Sequence, residues 1–236
     1  MAAKFSPSLM CMDLTQFREQ ITAMNSRADF YHVDIMDGSY VKNITLSPFF
    51  IENLKKITDV PIDVHLMVNH PEDIIPMCID AGADIISFHP ETANNKIFRL
   101  LNQIKDAGRR CGVVLNPATP ADAIKEYAHL LDKVTVMSVD PGYAGQKFIP
   151  ESLNKIKQLI AMREENGYHY LTEIDGSCNE KTFNVISRSG VDVFIVGTSG
   201  LFSLADNVSE AWDKMVDIYR AKSLPENCSA LSRIEP

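Results

Sequence analysis

Residues 31–38 read YHVDIMDG, a short run of aromatic and β-branched residues that closes on an aspartate and a glycine. Runs of this kind predict a buried strand, and side chains two positions apart on a strand point to the same face. His32 and Asp34 are therefore expected to share one face. Two further runs carry the same types of side chain, DVHLMV at 63–68 and YLTEIDGS at 170–177.

Four side chains in these runs belong to types that bind metal ions, namely His32, Asp34, His65 and Asp175. If the three runs are neighbouring parallel strands, two imidazoles and two carboxylates converge where the strands end. Such a ligand set suits zinc, manganese, cobalt or ferrous iron better than calcium, which prefers oxygen ligands only. The pattern predicts one divalent cation with two carboxylates beside the substrate, and it does not distinguish among these metals.

Single members of this set have simpler interpretations. A lone histidine at a strand end is more often a hydrogen-bonded structural residue than a ligand, so the metal hypothesis depends on all four residues together. Asp37 is interpreted as a turn former. Glu173 has the same parity as Asp175 and is expected to point inward one layer deeper, where a buried carboxylate needs a partner. We predict that Glu173 supports the ligands and does not bind the ion.

The composition is that of an ordinary globular domain, with 236 residues, a formal net charge of -8, 45% hydrophobic residues and 23% charged residues. No cluster of Lys and Arg is present, which argues against nucleic acid or an anionic membrane as a partner. The five cysteines are widely spaced and form no CxxC pair, which favours a reducing compartment over a disulfide framework. Because no apolar run reaches about 18 residues, we expect a cytoplasmic protein that does not span a membrane.

Short strand-like runs alternate with longer helical patterns, as in repeated βα units. The predicted strands are 4–9, 30–35, 62–67, 84–88, 111–115, 133–139, 170–174 and 191–196. The predicted helices are 14–24, 49–57, 71–81, 97–107, 121–131, 150–166, 181–189 and 206–221. These units predict an α/β fold, a single (β/α)8 TIM barrel over residues 1–221. The polar residues 222–236 show no period and are predicted to form a disordered tail.

Barrel enzymes place their chemistry where the strands end. The predicted strands end in polar or small residues, which are Ser8, Asp34, His65, His89, Asn116, Asp140, Asp175 and Gly197. The loop VDPGYAGQKFIP at 139–150 contains Gly142 and Gly145, which let backbone N–H groups approach an anion. With VGTSGLF at 196–202, it predicts a phosphate site at the loops after the sixth to eighth strands. Lys147 is interpreted as a solvated loop lysine.

From Ser6 to Phe202 the chain resembles the ribulose-phosphate 3-epimerase family. The motifs are, in order, SPSL, FYHVDIMDG, DVHLMV, SFHPE, VVLNPATP, MSVDPGYAGQKFIP and EIDGS. Within the family the resemblance is strongest to enzymes of D-allulose 6-phosphate, through SLMCMDL at 8–14, TLSPFF at 45–50, HPET at 89–92, DGSC at 175–178 and GTSGLF at 197–202. It implies interconversion of D-allulose 6-phosphate and D-fructose 6-phosphate. The alternative is interconversion of D-ribulose 5-phosphate and D-xylulose 5-phosphate.

The resemblance also implies roles for individual residues. His32, Asp34, His65 and Asp175 match positions that bind one divalent cation, and the two aspartates act as acid and base. Substrate contacts are implied for Ser8, His65, Tyr143, Ala144, Gly145, Gln146, Asp175, Gly176, Ser177, Gly197, Thr198 and Ser199. Met36, Met67 and Met137 match methionines that line the site in this family. The other interpretation is that they pack in the hydrophobic core and fill space there. The implied partners are a small ketose phosphate and further copies of the chain, in a dimer or hexamer.

The expected reaction inverts a carbon next to a ketone. One carboxylate removes the C3 proton to give an enediolate, a divalent cation stabilises the charge, and the second carboxylate returns a proton to the opposite face. Two other functions compete with this one. Decarboxylases and aldolase-like synthases of similar barrels use a DxKxxD run on the third strand, but residues 63–68 lack that lysine and the second aspartate. A non-catalytic sugar-phosphate sensor would not need an acid and a base.

Overall fold

The computed structural model describes residues 3–223, in which strands and helices alternate. The strands are β1 (Lys4–Pro7), β2 (Tyr31–Met36), β3 (Ile62–Met67), β4 (Ile85–Phe88), β5 (Arg110–Leu115), β6 (Lys133–Met137), β7 (Leu171–Asp175) and β8 (Val193–Val196). The α-helices are α1 (Phe17–Met24), α2 (Pro48–Lys55), α3 (Pro71–Asp80), α4 (Pro90–Ala93), α5 (Ile97–Asp106), α6 (Ser152–Asn166), α7 (Phe183–Ser187) and α8 (Val208–Ser223).

All eight strands are parallel and form one sheet in the order β1-β8-β7-β6-β5-β4-β3-β2. An isolated parallel bridge between Ser8 and His32 links the two ends of this order. The sheet thus closes into a barrel, and the predicted (β/α)8 fold is confirmed. The predicted strand bounds differ from the observed ones by no more than two residues, because strands of a barrel are buried on both faces and read as compact apolar runs between turns.

The alternation of side chains along each strand separates the core from the site. In β2, Tyr31, Val33 and Ile35 pack into the main hydrophobic core, which also contains side chains of the surrounding helices. The intervening His32 and Asp34 are also buried but do not belong to that core. Since side chains alternate between the two faces of a strand, the apolar set holds the helices while the polar set points into the barrel.

The predicted helix at 121–131 is wrong. Two short 3₁₀ turns take its place, at Ala121–Ile124 and Ala128–Leu130. Both end residues of the first turn are buried, and so is Tyr127 three residues further on. Burial at every third position is the period of a 3₁₀ helix. Over only eleven residues, 121–131, the sequence pattern does not distinguish this period from that of an α-helix.

The last helix, α8, continues through Ser223, so it includes the first two residues of the predicted tail at 222–236. The rest of that predicted tail, residues 224–236, lies outside the described residues. Among the helices within residues 3–223, none combines the length and the apolar character needed to cross a bilayer.

Candidate metal centre and active site

The strand register brings the first part of the site together. In the β2–β3 pair, Asp34 lies opposite His65 and His32 lies opposite Asp63. Strand β7 is separated from β2 by β8 and β1, so only two of the three motif strands are neighbours. Asp175, the last residue of β7, reaches the other side chains across the barrel interior.

Candidate ligand atoms of all four predicted metal-site residues converge. Asp34 Oδ1 lies 3.3 Å from His32 Nε2 and 3.2 Å from His65 Nδ1. Asp175 Oδ2 lies 4.0 Å and 3.8 Å from the same two nitrogens. One ligand atom from each residue lies within 4.8 Å of all the others. The four side chains therefore surround one point, as the ligands of a single ion do.

Each imidazole has one nitrogen held by a neighbour and one nitrogen facing this point. His32 Nδ1 lies 3.0 Å from Asp63 Oδ2, and His65 Nε2 lies 2.9 Å from His89 Nε2. His32 Nε2 and His65 Nδ1 are buried and make no hydrogen bond within the described part of the chain. Metal-binding histidines are oriented in this way through the other ring nitrogen. The donor set thus fits a divalent cation.

The two aspartates have different environments. Ser8 Oγ donates a hydrogen bond of 2.7 Å to Asp34 Oδ2. The side chain of Asp34 is 3% exposed, whereas that of Asp175 is 18% exposed. Burial raises the pKa of Asp175 to about 7, although His32 opposes the shift. Burial also disfavours the charged form of Asp34, but His32 and His65 outweigh it and hold the pKa of Asp34 well below its usual range.

This difference matters for proton transfer. A carboxylate with a lowered pKa is ionised at neutral pH and can accept a proton, while a carboxyl group that titrates near neutrality can also deliver one. Pairs of titratable groups whose pKa values are driven apart are typical of acid and base partners. The opposite directions of the two pKa shifts therefore suit a two-base reaction.

A second layer of charged side chains lies beneath the four candidate ligands. Lys133 Nζ donates hydrogen bonds to Asp63 Oδ2 and, at 2.7 Å, to Glu173 Oε1. Thr135 Oγ1 also donates to Glu173 Oε1 at 2.7 Å. Lys133 is 2% exposed, and the two carboxylates are fully buried. Glu173 thus has the partner that its predicted burial required.

Lys133 was not predicted to belong to the site. Lys133, Thr135 and Met137 alternate along β6, and Thr135 and Met137 lie opposite Glu173 and Asp175 in the register with β7. A charged lysine within the apolar strand KVTVM is the signal in the sequence that points to a buried ion pair. Its role depends on the carboxylates of Asp63 and Glu173, which come from two other strands. His89 was predicted only as a polar strand end, and its contact with His65 was not.

A cleft opens above the cluster at the carboxyl ends of the strands. Among the predicted site residues, those that line it are Ser8, Asp34, Met36, Met67, Met137, Tyr143, Ala144, Gly145, Gln146, Asp175, Gly176, Ser177, Gly197, Thr198 and Ser199. His32 and His65 lie beneath them and are fully buried. Further side chains that were not predicted as site residues also line the cleft, among them those of Met10, Cys11 and Cys178. Lys147 is exposed and is not part of this lining.

The loops around the cleft are joined to one another. Ser177 Oγ donates a hydrogen bond to the carbonyl of Gln146, which connects the loops after β7 and β6. Tyr143 Oη donates to the carbonyl of Lys42 at 2.5 Å, which connects the loop after β6 to the loop after β2. Asp37 accepts hydrogen bonds from two backbone amides that follow it, which confirms its predicted role as a turn former.

The turn after β7 requires glycine. Gly176 has a φ of +113°, and a Cβ atom there would lie 2.7 Å from Val139 Cγ2. This position therefore combines a backbone conformation that L-residues avoid with close contact to the loop after β6. The DGS sequence thus brings Asp175 and Ser177 to the cleft with a sharp change of chain direction.

The fold and the cluster define an α/β barrel enzyme with its candidate active site at the carboxyl ends of the strands. The sequence profile of the ribulose-phosphate 3 epimerase family matches residues 4–202. The chain belongs to this family, and it is an isomerase of the epimerase class.

Relatives from distant organisms agree with this assignment. The chain is 41% identical to ribulose-phosphate 3-epimerase of Aquifex aeolicus over 202 residues, which cover 85% of this chain and 90% of the relative. It is 39% identical to the Bacillus subtilis enzyme of the same name, with 83% and 91% covered. It is also 39% identical to the chloroplastic ribulose-5-phosphate-3-epimerase of Arabidopsis thaliana, with 85% and 72% covered.

Solved structures with low sequence identity share the fold. KGPDC from Streptococcus mutans superposes with a TM-score of 0.71 at 16% identity, covering 93% of this chain and 98% of the other. A tryptophan synthase alpha-subunit from Pyrococcus furiosus gives a TM-score of 0.67 at 12% identity, with 92% and 98% covered. At these identities the likeness concerns the barrel alone.

Proposed function

We propose that this protein inverts the configuration at C3 of a ketose phosphate by moving a proton through two aspartates. The observation that carries the proposal is the pair Asp34 and Asp175, which line one cleft, lie next to the same two imidazole nitrogens and have pKa values shifted in opposite directions. Membership of an epimerase family supports the same reaction.

The four clustered residues would hold one divalent cation, of zinc, manganese, cobalt or ferrous iron. His32 Nε2 and His65 Nδ1 would contribute the nitrogen ligands, since their other nitrogens are already occupied. When bound, such a cation stabilises negative charge that develops on the ketose oxygens. The mixed nitrogen and oxygen donor set supports a transition metal rather than calcium.

In the proposed reaction, ionised Asp34 removes the C3 proton and protonated Asp175 delivers a proton to the opposite face, with the roles exchanged in the reverse direction. Ser8 keeps one oxygen of Asp34 in place through its hydrogen bond. The methionines Met36, Met67 and Met137 provide an apolar lining next to the reacting carbons. An apolar lining of this kind limits the access of water to an enediolate.

The phosphate would be bound by the loops after β6, β7 and β8. Their residues at the cleft are Tyr143, Ala144, Gly145, Gln146, Gly176, Ser177, Gly197, Thr198 and Ser199. Backbone N–H groups of such glycine-containing loops are suited to phosphate oxygens. This arrangement would fix the sugar with its C2 and C3 atoms towards the aspartates.

D-Ribulose 5-phosphate, which would yield D-xylulose 5-phosphate, is the substrate that the family and its named relatives favour. D-Allulose 6-phosphate, which would yield D-fructose 6-phosphate, is the second candidate. It is favoured by the motifs SLMCMDL, DGSC and GTSGLF, which contribute Cys11, Cys178 and Ser199 to the lining of the cleft. A physiological role in D-allose catabolism would follow only from the second substrate.

The test is epimerisation of each sugar phosphate in deuterium oxide by the purified protein loaded with a divalent metal. Solvent deuterium is expected at C3 of the product, because a proton held by an aspartate exchanges with water. The larger kcat/KM identifies the preferred substrate. If neither sugar acquires deuterium at C3 while the protein is folded and binds metal, the enzyme proposal fails and a binding function takes its place.

The affinity for the divalent cation is expected to increase with pH through about 7 and to go on increasing above it. The raised pKa of Asp175, about 7, means that below this pH a proton competes with the metal for this carboxylate. Burial lowers the pKa of His32, but Asp34 and Asp63 outweigh it and raise this pKa well above its usual value, so the ring must also release a proton before Nε2 can bind a metal. Affinity should therefore fall as the pH decreases through 7. Titration of the metal-free protein with Mn²⁺ from pH 5.5 to 8.5 would measure this, and an affinity independent of pH would contradict it.

Two further properties are inferred from the sequence: the cysteine spacing and the short apolar runs support the location, and the family resemblance supports the oligomer. We propose that the protein acts in the cytoplasm and forms a homo-oligomer, a dimer or a hexamer. Sedimentation equilibrium of the full-length chain at several concentrations would measure the mass of the assembly. A mass equal to that of one chain would contradict the oligomer.

A further inference from the structure

Lys133 is a buried cation that the proposed proton transfer does not use. Its side chain extends from β6 into the barrel and is 2% exposed. It contacts the carboxylates of Asp63 on β3 and Glu173 on β7. A buried ammonium group is costly unless it is paired, so its presence in this layer calls for an explanation.

The contact with Asp63 connects Lys133 to a candidate metal ligand. A single oxygen, Asp63 Oδ2, accepts hydrogen bonds from both Lys133 Nζ and His32 Nδ1. A carboxylate oxygen can only accept, so the His32 ring must present Nδ1–H to Asp63 and Nε2 to the cluster above. The orientation of His32 thus depends on the position of Asp63.

Lys133 also separates two carboxylates that would otherwise repel one another. Ligand atoms of His32, Asp63 and Glu173 lie within 4.8 Å of one another, and both carboxylates are fully buried. Asp63 Oδ1 and Glu173 Oε2 make no hydrogen bond within residues 3–223. Without the ammonium group, His32 would be the one hydrogen-bond partner left to the Asp63 side chain within residues 3–223, and repulsion from Glu173 would displace Asp63.

We propose that Lys133 is a positioning residue for the metal centre: by anchoring Asp63, it keeps His32 Nε2 directed at the cluster of Asp34, His65 and Asp175. This inference rests on the metal site of the proposed function. It assigns Lys133 no contact with substrate. Second-layer groups that orient metal ligands are typically worth about 10- to 100-fold in metal affinity.

The experiment measures binding of Co²⁺ to metal-free full-length protein by its visible absorption and by competition with a chelator. Lys133→Met keeps an unbranched side chain that is one atom shorter and carries no charge. It is expected to bind Co²⁺ about 10- to 100-fold more weakly than wild type and to alter the absorption bands. Thr135→Val is the matched control on the same face of β6, because Thr135 contacts Glu173 but not Asp63. It should bind Co²⁺ as wild type does, because it removes no hydrogen bond of Asp63 or His32.

A charge-matched variant distinguishes positioning from net charge and guards against misfolding. Lys133→Met combined with Glu173→Gln removes one positive and one negative charge, so the buried layer keeps its net charge. Asp63 then has no second carboxylate beside it that could repel it. Thermal unfolding in the presence of chelator verifies the fold. Weakened binding in this folded double variant supports the proposal. Wild-type affinity there would mean that Lys133 only neutralises Glu173 and does not anchor Asp63, which overturns the proposal.

The results also separate this inference from the proposed function. If wild-type protein binds Co²⁺ and Lys133→Met binds it equally well with the same spectrum, the positioning role is overturned and the metal site stands. If wild-type protein gives no Co²⁺ absorption of a protein-bound ion, the metal site itself is overturned, and the role of Lys133 with it.

Discussion

The Asp175→Asn variant is expected to lose epimerase activity by about 10²- to 10⁴-fold in kcat, the usual contribution of a positioned acid or base. An amide has nearly the shape of the carboxyl group but can neither accept nor release the C3 proton. Asp34→Asn should show a loss of the same order, because each direction of the reaction needs both groups. Turnover of a ketose phosphate by the metal-loaded variants, measured in both directions, would test this.

The fold should survive these substitutions. The pKa of Asp175 is raised to about 7, so ionised Asp175 destabilises the metal-free protein. The free energy of unfolding should therefore decrease as the pH rises from the ordinary pKa of an aspartate to about 7. Metal-free Asp175→Asn should therefore be at least as stable as wild type at pH 8, as thermal unfolding would show.

Asp122→Asn, at an exposed position outside the cleft, is the control for turnover. Near-normal epimerisation by a folded Asp34→Asn or Asp175→Asn variant would refute the two-base reaction.

Removal of the divalent cation is expected to lower turnover on the order of 10³-fold, since Lewis-acid stabilisation is worth several kcal/mol and about 1.4 kcal/mol corresponds to a factor of ten. Without the cation, the negative charge of the enediolate would face a cleft whose lining, within residues 3–223, includes no Lys or Arg side chain. Chelation followed by gel filtration gives the metal-free protein for this measurement. Addition of Zn²⁺, Mn²⁺, Co²⁺ or Fe²⁺ should restore activity.

Two controls make this prediction specific. Ca²⁺ should restore little activity, because it prefers an all-oxygen shell and the cluster presents two imidazole nitrogens. The metal should also raise the unfolding temperature of wild type, since a ligand that binds only the folded state stabilises it. Full turnover by a sample shown by elemental analysis to contain no metal would contradict the assignment of the cluster as a metal centre.

Much of the site was predictable because it follows from a local rule. Side chains at alternate strand positions point to one face, so His32 with Asp34, and Glu173 with Asp175, could be paired from the sequence alone. In the structure, His32 contacts Asp34, while Glu173 and Asp175 reach Lys133 and His32 inside the barrel. The strand runs were equally predictable, because a strand buried on both faces is a compact apolar run.

Strand periodicity does not determine the length of the sugar substrate. Motifs near Cys11 and Cys178 favoured a hexose phosphate, while the family profile and the named relatives favour ribulose phosphate. Both interpretations share the aspartate pair, so the chemistry does not depend on the choice. The length of the sugar depends on contacts of individual cleft residues, which no periodic pattern encodes.

By itself, the sequence determined the eight strands and the glycine-containing loops that follow the later strands. It also determined that the residues able to bind a metal lie at alternate strand positions and so share one face. Tertiary structure alone decided that Asp175 reaches the histidines across the barrel, that positions 121–131 form 3₁₀ turns, and that Lys133 joins Asp63, 70 residues away in the chain. The physical reason is the range of the interactions. Strand periodicity is a property of adjacent residues, whereas the partners of a buried charge come from whichever strands the closed barrel brings together.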